Sequence, residues 1–284
     1  MYGGIKMIKV NGIPIRTETF PNRETKVKDF ISQVKTPDCL VELKYESDQD
    51  LINLMFIKNR LDDLGKSPSL FVRYMPYSRM DRQIEGDLFT LKYVAGFIAK
   101  MGFTKVTVME PHSSATLDLL RAQGVNANVI YPTKKWVQQI MGQDNYTNRD
   151  HVAFPDKGAQ MRYHDIEQTL PNVLTFDKVR DPYTGKIQGI DLASGAVNKA
   201  SKCIILDDLC SRGGTFMAVG DKLKTSGAKQ VDLLVAHCED TIFDGDLLKK
   251  DSPVDTIYTS DSLLTKLHPK IKLMEVKNEI QQIS

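Results

Sequence analysis

Residues 207–215 read Asp207, Asp208, Leu209, Cys210, Ser211, Arg212, Gly213, Gly214, Thr215. An apolar run, "CIIL" (203–206), leads into them and reads as the end of a buried strand. Two adjacent carboxylates at a strand's C-terminal end repel each other unless a cation or hydroxyl groups bind them. That end is also where open α/β sheets bind their ligands. The vicinal hydroxyls of a ribose ring offer two donors at a spacing that suits two acids. Gly213 and Gly214 let backbone N–H groups converge on an anion, and a helix starting there adds its positive end. The chemistry is that of a sugar-phosphate site, with Asp207 and Asp208 on hydroxyls and Ser211, Gly213, Gly214 and Thr215 around a phosphate. A solvated glycine turn is the plainer alternative. Arg212 is the odd member, because a small residue is expected inside such a loop.

Strands and helices must alternate to set up that strand end. Apolar runs at 39–43, 69–75, 105–110, 127–132, 151–156, 202–208 and 231–238 read as strands. Between the first two, Leu51, Ile52, Leu54, Met55, Ile57, Leu61 and Leu64 recur at a spacing that makes one apolar helix face. Residues 87–101, 114–124 and 215–226 form three further helical patterns. Continuous apolar strands alternating with helices predict α/β, doubly wound, with parallel sheets covered on both faces. Two domains are expected, 1–140 and 141–284, with the polar stretch "MGQDNYTNRD" (141–150) as the link. The polar, glycine-containing segment 177–201 is a candidate mobile loop or hairpin near a site.

The bulk properties exclude more than they assign. A net charge of +2 over 284 residues gives no mandate for nucleic acid or an anionic membrane. No apolar run approaches the roughly 18 residues of a membrane span, and the N-terminus lacks a signal-peptide core. Cys39, Cys203, Cys210 and Cys238 show no zinc spacing, which fits a reduced, cytoplasmic protein. "DDLGKS" (62–67) is not a nucleotide-binding P-loop, because Arg60 stands where the first glycine belongs. His151, His164 and His268 carry no partner pattern and read as structural, whereas His237 and Glu239 start at a strand end and are candidates to line the site.

"IILDDLCSRGGT" (204–215) resembles the phosphate loop of phosphoribosyltransferase-fold proteins, and further stretches narrow the likeness to the ribose-phosphate diphosphokinases, or PRPP synthetases. "FPNRET" (20–25) is similar to their adenine-binding segment; Phe20 would stack on the base while Asn22 and Glu24 bond its edge. "MPYSRMDR" (75–82) resembles their "PYxRQD" stretch and brings Arg79 and Asp81 to ATP. "VMEPHSS" (108–114) matches His112 to a histidine near magnesium and ATP, and "AFPDKGA" (153–159) matches Asp156 to an aspartate by the metal and ribose. "FDKVRDP" (176–182) resembles the start of their catalytic loop, with Lys178 and Arg180 as its cationic pair. The stretches keep the family's order across roughly residues 18–240. Taken alone, Phe20 reads as a core aromatic, and Arg79, Lys178 and Arg180 as solvated charge.

The resemblance implies two phosphoribosyltransferase-like (Rossmann-like) domains, each with a mainly parallel sheet flanked by helices. It implies Mg2+-dependent transfer of the diphosphoryl group of ATP to the 1-hydroxyl of a ribose 5-phosphate-type sugar, releasing AMP. It also implies a homo-oligomer, from dimer to hexamer, in the cytoplasm of a bacterium or phage-infected cell.

The sequence departs from the family at three places. Ser211-Arg212 replaces an Asp-Thr pair, "EGDLFT" (85–90) replaces an Arg-x-Pro-Ile-Ser stretch, and Met80 replaces a glutamine. Arg212 adds charge and reach beyond one phosphate. That favours a substituted acceptor, ADP-ribose, giving its 1-diphosphate for NAD salvage as in a phage branch of the family. Ribose 5-phosphate is the alternative acceptor, and a non-catalytic associated subunit the alternative of another class.

Overall fold

The computed structural model describes residues 8–28, 34–84, 86–143, 146–168, 172–180, 187–276 and 280. The chain divides into two compact units, Met1–Tyr131 with Val276–Ser284, and Pro132–Glu275.

The first unit opens with β1 (Ile8–Val10), β2 (Ile13–Pro14) and a separate two-stranded ribbon of β3 (Thr17–Thr19) and β4 (Thr25–Val27). Then come β5 (Asp38–Leu43), α1 (Asp48–Asp63), β6 (Ser67–Val72), α2 (Thr90–Lys100), β7 (Val106–Met109), α3 (Ala115–Ala122) and β8 (Ala127–Ile130). Its six-stranded sheet runs β2-β1-β5-β6-β7-β8, with β5 to β8 parallel and β1 antiparallel to both its neighbours. α1 starts where Asp50 accepts the N–H groups of Glu46 (3.0 Å) and Ser47 (2.8 Å), so the first turn does not lose its donors. Leu54, Ile57 and Leu61 are fully buried with Val41, Leu43 and Val72 of the sheet. The helix closes with N–H groups of Gly65 and Lys66 donating back to Asp62 (2.8 Å) and Leu61 (3.0 Å). "DDLGKS" is therefore a helix end that feeds β6.

The second unit contains α4 (Thr133–Gln143), β9 (His151–Phe154), α5 (Lys157–Arg162), α6 (His164–Glu167), β10 (Val173–Arg180), β11 (Ile187–Ser194), β12 (Lys202–Cys210), α7 (Gly214–Thr225), β13 (Gln230–Cys238), β14 (Thr256–Thr259) and β15 (Ile271–Leu273). α4 packs on β13 and buries Trp136, Val137 and Ile140, so this helix belongs with the second unit. The sheet order is β11-β10-β9-β12-β13-β14-β15, parallel except for the β10–β11 hairpin. Segment 177–201 is thus largely that hairpin and its exit, of which residues 181–186 lie outside the described residues. Cys203 and Ile205 of β12, Leu233 and Val235 of β13, and Phe216, Val219 and Leu223 of α7 share one buried cluster.

β9 holds the position that matters. The chain leaves it on one side to reach β10 and comes back on its other side as β12. Such a reversal opens a crevice at the C-terminal ends of the two central strands.

Candidate active site

The acidic pair lies in that crevice. β9 and β12 run parallel with Ile205 opposite Ala153. The same register, continued, sets Asp156 level with Asp208. Asp208 is buried and Asp207 half-buried. Arg162, in the last turn of α5, meets both: its Nη1 lies 3.3 Å from Asp207 Oδ1 and contacts Asp208 Oδ1. Asp207 Oδ1 also accepts the N–H of Asp208 at 2.8 Å. Burial, and then repulsion from Asp208, push the Asp207 carboxyl well above its usual range, while Arg162 opposes the rise. Nothing in the sequence reading pointed to Arg162. A basic residue ending a short helix reads as a partner of the helix dipole, and the turns that bring it to the acids are not local.

The loop after β12 is shaped from outside. Gly213 takes φ +84° and a Cβ there would run into the side chain of Leu247. A Cβ on Gly245 would strike the carbonyl oxygen of Arg212. Ser211 Oγ donates to Glu239 at 2.6 Å and lies 3.0 Å from Thr241 Oγ1, which also donates to Glu239 at 3.0 Å. The segment after β13 therefore grips the loop at Ser211, Arg212 and Gly213. Glu239, a candidate lining residue, is placed as a brace, and His237 is buried with Nδ1 2.8 Å from Ser262 Oγ. Gly214 starts α7 with no side-chain cap, Thr215 is half-buried and Arg212 is exposed. Backbone N–H groups of the first turn thus remain for a ligand.

Asp156 caps α5: its Oδ1 accepts the N–H of Ala159 at 3.0 Å. Lys178 and Arg180 lie on β10, opposite Ile190 and Ile187 of β11, and their side chains fall outside the described residues. Of the other histidines, His151 is buried and its Nε2 accepts the N–H of Asn198 at 3.1 Å, His164 lies 3.4 Å from Glu167, and His268 accepts the N–H of Lys270.

The first unit presents the other candidates separately. Phe20 sits at the tip of the β3–β4 ribbon and is 50% exposed, so it is no core aromatic. The tip is tied by backbone bonds from Phe20 N to Glu24 O and from Arg23 N to Phe20 O, both 2.8 Å. Asn22 Oδ1 accepts from Glu24 N at 3.1 Å, and Gln49 of α1 donates to Arg23 O. Arg79 is exposed in the turn after β6. Tyr77 takes φ +61° there and its hydroxyl donates to Asp48 at 2.8 Å, a bond that raises the phenol's pKa. Asp81 is half-buried beside Arg82, 3.9 Å away. His112 is half-buried after β7, behind a buried Glu110 held at φ +43°. Left-handed backbone at a non-glycine residue costs energy, and such residues cluster at active sites and ligand clamps. Among the described residues no three His, Cys, Asp or Glu side chains cluster as a metal cage, and no helix is long and apolar enough to cross a membrane.

No protein-family model matches the chain. It is 25% identical over 237 residues to a ribose-phosphate pyrophosphokinase of Saccharolobus solfataricus, covering 82% of this chain and 79% of that protein. It is 27% identical to the Sulfolobus acidocaldarius protein of the same name over 237 residues, with the same 82% and 79% coverage. The Methanobrevibacter smithii ribose-phosphate pyrophosphokinase is 26% identical over 240 residues, 78% of this chain and 77% of that one. The crystal structure of phosphoribosylpyrophosphate synthetase from Mycobacterium smegmatis matches with a TM-score of 0.77 over 95% of this chain and 88% of its own, at 16% identity, which speaks to the fold. Two phosphoribosyltransferase-like α/β units and these relatives define an enzyme of the diphosphotransferase class. More narrowly, the chain is similar to ribose-phosphate pyrophosphokinases over about four fifths of its length, at 25–27% identity.

Proposed function

We propose that the protein transfers the β,γ-diphosphoryl group of ATP to the 1-hydroxyl of ribose 5-phosphate. The anomeric oxygen forms a bond to the β-phosphorus, the bond to the α-phosphate oxygen breaks, and AMP leaves. The observation that carries this reading is the acid pair near the end of β12, one member buried and one half-buried, followed by a glycine loop that opens a helix. Asp207 and Asp208 accept the ribose hydroxyls. Backbone N–H groups from Gly213 to Thr215 hold the 5-phosphate. Phe20 stacks on adenine, Asn22 and Glu24 read its edge, and Arg79, Asp81 and His112 hold the triphosphate side of ATP. Lys178 and Arg180 neutralise the charge that builds on the transferring group.

The donors suit magnesium in part. The Asp156 carboxylate is a hard oxygen donor at the β9 end, and Mg2+ is usually held by one or two carboxylates plus substrate phosphates. His112, in the first unit, is a softer donor that suits contact with a metal through water rather than directly. When bound with ATP, magnesium neutralises the phosphate oxygens. The resemblance also implies self-association as a homo-oligomer, which light scattering checks.

A second acceptor is favoured by one observation. Arg212 is exposed at the rim of the phosphate loop, where its guanidinium would meet an anion that continues past the first phosphate, as in ADP-ribose. The names of the relatives favour ribose phosphate, so that acceptor takes precedence. Incubation with ATP, Mg2+ and each acceptor, with AMP release followed, decides between them. AMP release with ADP-ribose alone would overturn the ribose 5-phosphate reading. Release with neither would overturn both and return the chain to a non-catalytic role.

A further inference from the structure

Arg162 has no part in the reaction as set out above, yet it is the cation on which the acid pair closes. A single nitrogen, Nη1, serves Oδ1 of both Asp207 and Asp208. Its side chain is only 16% exposed. Its helix, α5, is anchored at the other end by Asp156, so one short helix fixes both the cap at β9 and the cation at β12.

We propose that Arg162 is a positioning residue for the sugar acceptor: its guanidinium holds the carboxylates of Asp207 and Asp208 together, so that both accept hydroxyl hydrogens from one vicinal diol. The identity of that diol rests on the diphosphokinase reading. The coupling of the three side chains does not.

Two neighbouring carboxylates in a half-buried crevice share a proton unless a cation is present. A protonated carboxyl offers a hydrogen where the diol needs an acceptor. Among the described residues, the lysines of the helices packed against β12 are paired with other acids. β13 contributes Asp232, which accepts from Tyr146 and Gln230, and His237, which is paired with Ser262. β9 contributes His151, engaged by the Asn198 N–H. α7 carries Asp221, with Lys222 and Lys224 paired to Asp191 and Asp255. α5 carries Lys157, paired to Asp177, besides Arg162. Arg162 is a cationic contact shared by both acids. Burial and Asp208 already raise the Asp207 carboxyl against its pull, so losing the guanidinium moves the group further up.

The test compares wild type with Arg162→Gln and Arg162→Lys. KM for ribose 5-phosphate should rise on the order of tenfold in Arg162→Gln while KM for ATP stays within about twofold. The acid limb of kcat/KM should move up by about one pH unit, and Arg162→Lys should recover most of both changes. The Asp207 carboxyl, followed by 13C NMR without substrates and assigned with Asp207→Asn, should titrate about one unit higher in Arg162→Gln. An unmoved Asp207 midpoint, or KM values for ATP and sugar that rise together, overturns the proposal. If wild type turns over no ribose 5-phosphate, the functional reading fails, and the carboxyl titration still decides the role of Arg162. If Arg162→Gln does not fold, the charge-balanced pair Asp208→Asn and Arg162→Gln/Asp208→Asn is read the same way. Equal Asp207 midpoints in that pair overturn the proposal, and a higher midpoint in the double variant supports it.

Discussion

The strand end of the second unit and the ribbon tip of the first are built on opposite plans. At the strand end, two carboxylates lie at least half-buried against one guanidinium, and the loop beside them is gripped by Ser211–Glu239 and by Leu247. At the ribbon tip, Phe20 is exposed, and backbone bonds with single side-chain bonds from Asn22 and Gln49 shape the turn that presents it. The first plan keeps charged groups in place at an electrostatic cost. The second leaves a flat apolar ring in water until a ligand covers it. A polar sugar must be met by groups already aimed, because each hydroxyl exchanges water for a directed bond. An aromatic base needs a face, and stacking tolerates small misplacements.

The comparison breaks if variants at the two places do not separate. The largest effect belongs to neither: Lys178→Ala should lower kcat by about 10²–10³ with both KM values little changed, measured by AMP release. A large rise in either KM would move Lys178 from the transfer step to binding. Next, Asp207→Asn should lower kcat/KM for the sugar by about 10–100-fold and leave ATP affinity unchanged. The same variant sharpens the cost side. The folded-state pKa of Asp207 lies above its unfolded value, so its contribution to stability is whole below that unfolded value and lost as pH rises through the folded one. Asp207→Asn should therefore melt higher than wild type at pH 7–8 but not near about pH 4, as scanning calorimetry would read. A lower melting temperature at pH 8 would mean that the ionised pair stabilises the fold after all. Phe20→Ala should weaken ATP binding by about tenfold in calorimetry, with the sugar KM and melting temperature unchanged. A drop of several degrees would show the ring to be structural. The smallest change is Ser211→Ala, which leaves Glu239 with Thr241 and should raise the sugar KM by about fivefold.

Much of this was legible in the sequence, for reasons that differ by element. β5, β9, β12 and β13 are continuous apolar runs because both faces are covered, and α1, α2, α3 and α7 show their buried stripe. The β3–β4 ribbon was not legible: its strands are three residues each and β3 is wholly exposed, so no periodicity exists to detect. α5 and α6, of six and four residues, are too short to carry a stripe. The acid pair and glycine loop announced themselves by charge and backbone freedom. Phe20, Arg79 and His112 did so only by the order of motifs, since each alone has an ordinary explanation. Arg162 and the Glu239 brace were missed because their partners are remote in sequence, at 45 and 28 residues.

The interlocking of Gly213 with Leu247 and of Gly245 with the Arg212 carbonyl has a consequence for inheritance and for engineering. Neither stretch can drift alone. A lineage that enlarges Gly245 must first reshape the loop across from it, and a lineage that alters the loop meets the same wall from the other side. Residues 211–215 and 239–247 are in effect one heritable part carried on two pieces of chain. Anyone transplanting this phosphate cradle into another scaffold would have to move both pieces together.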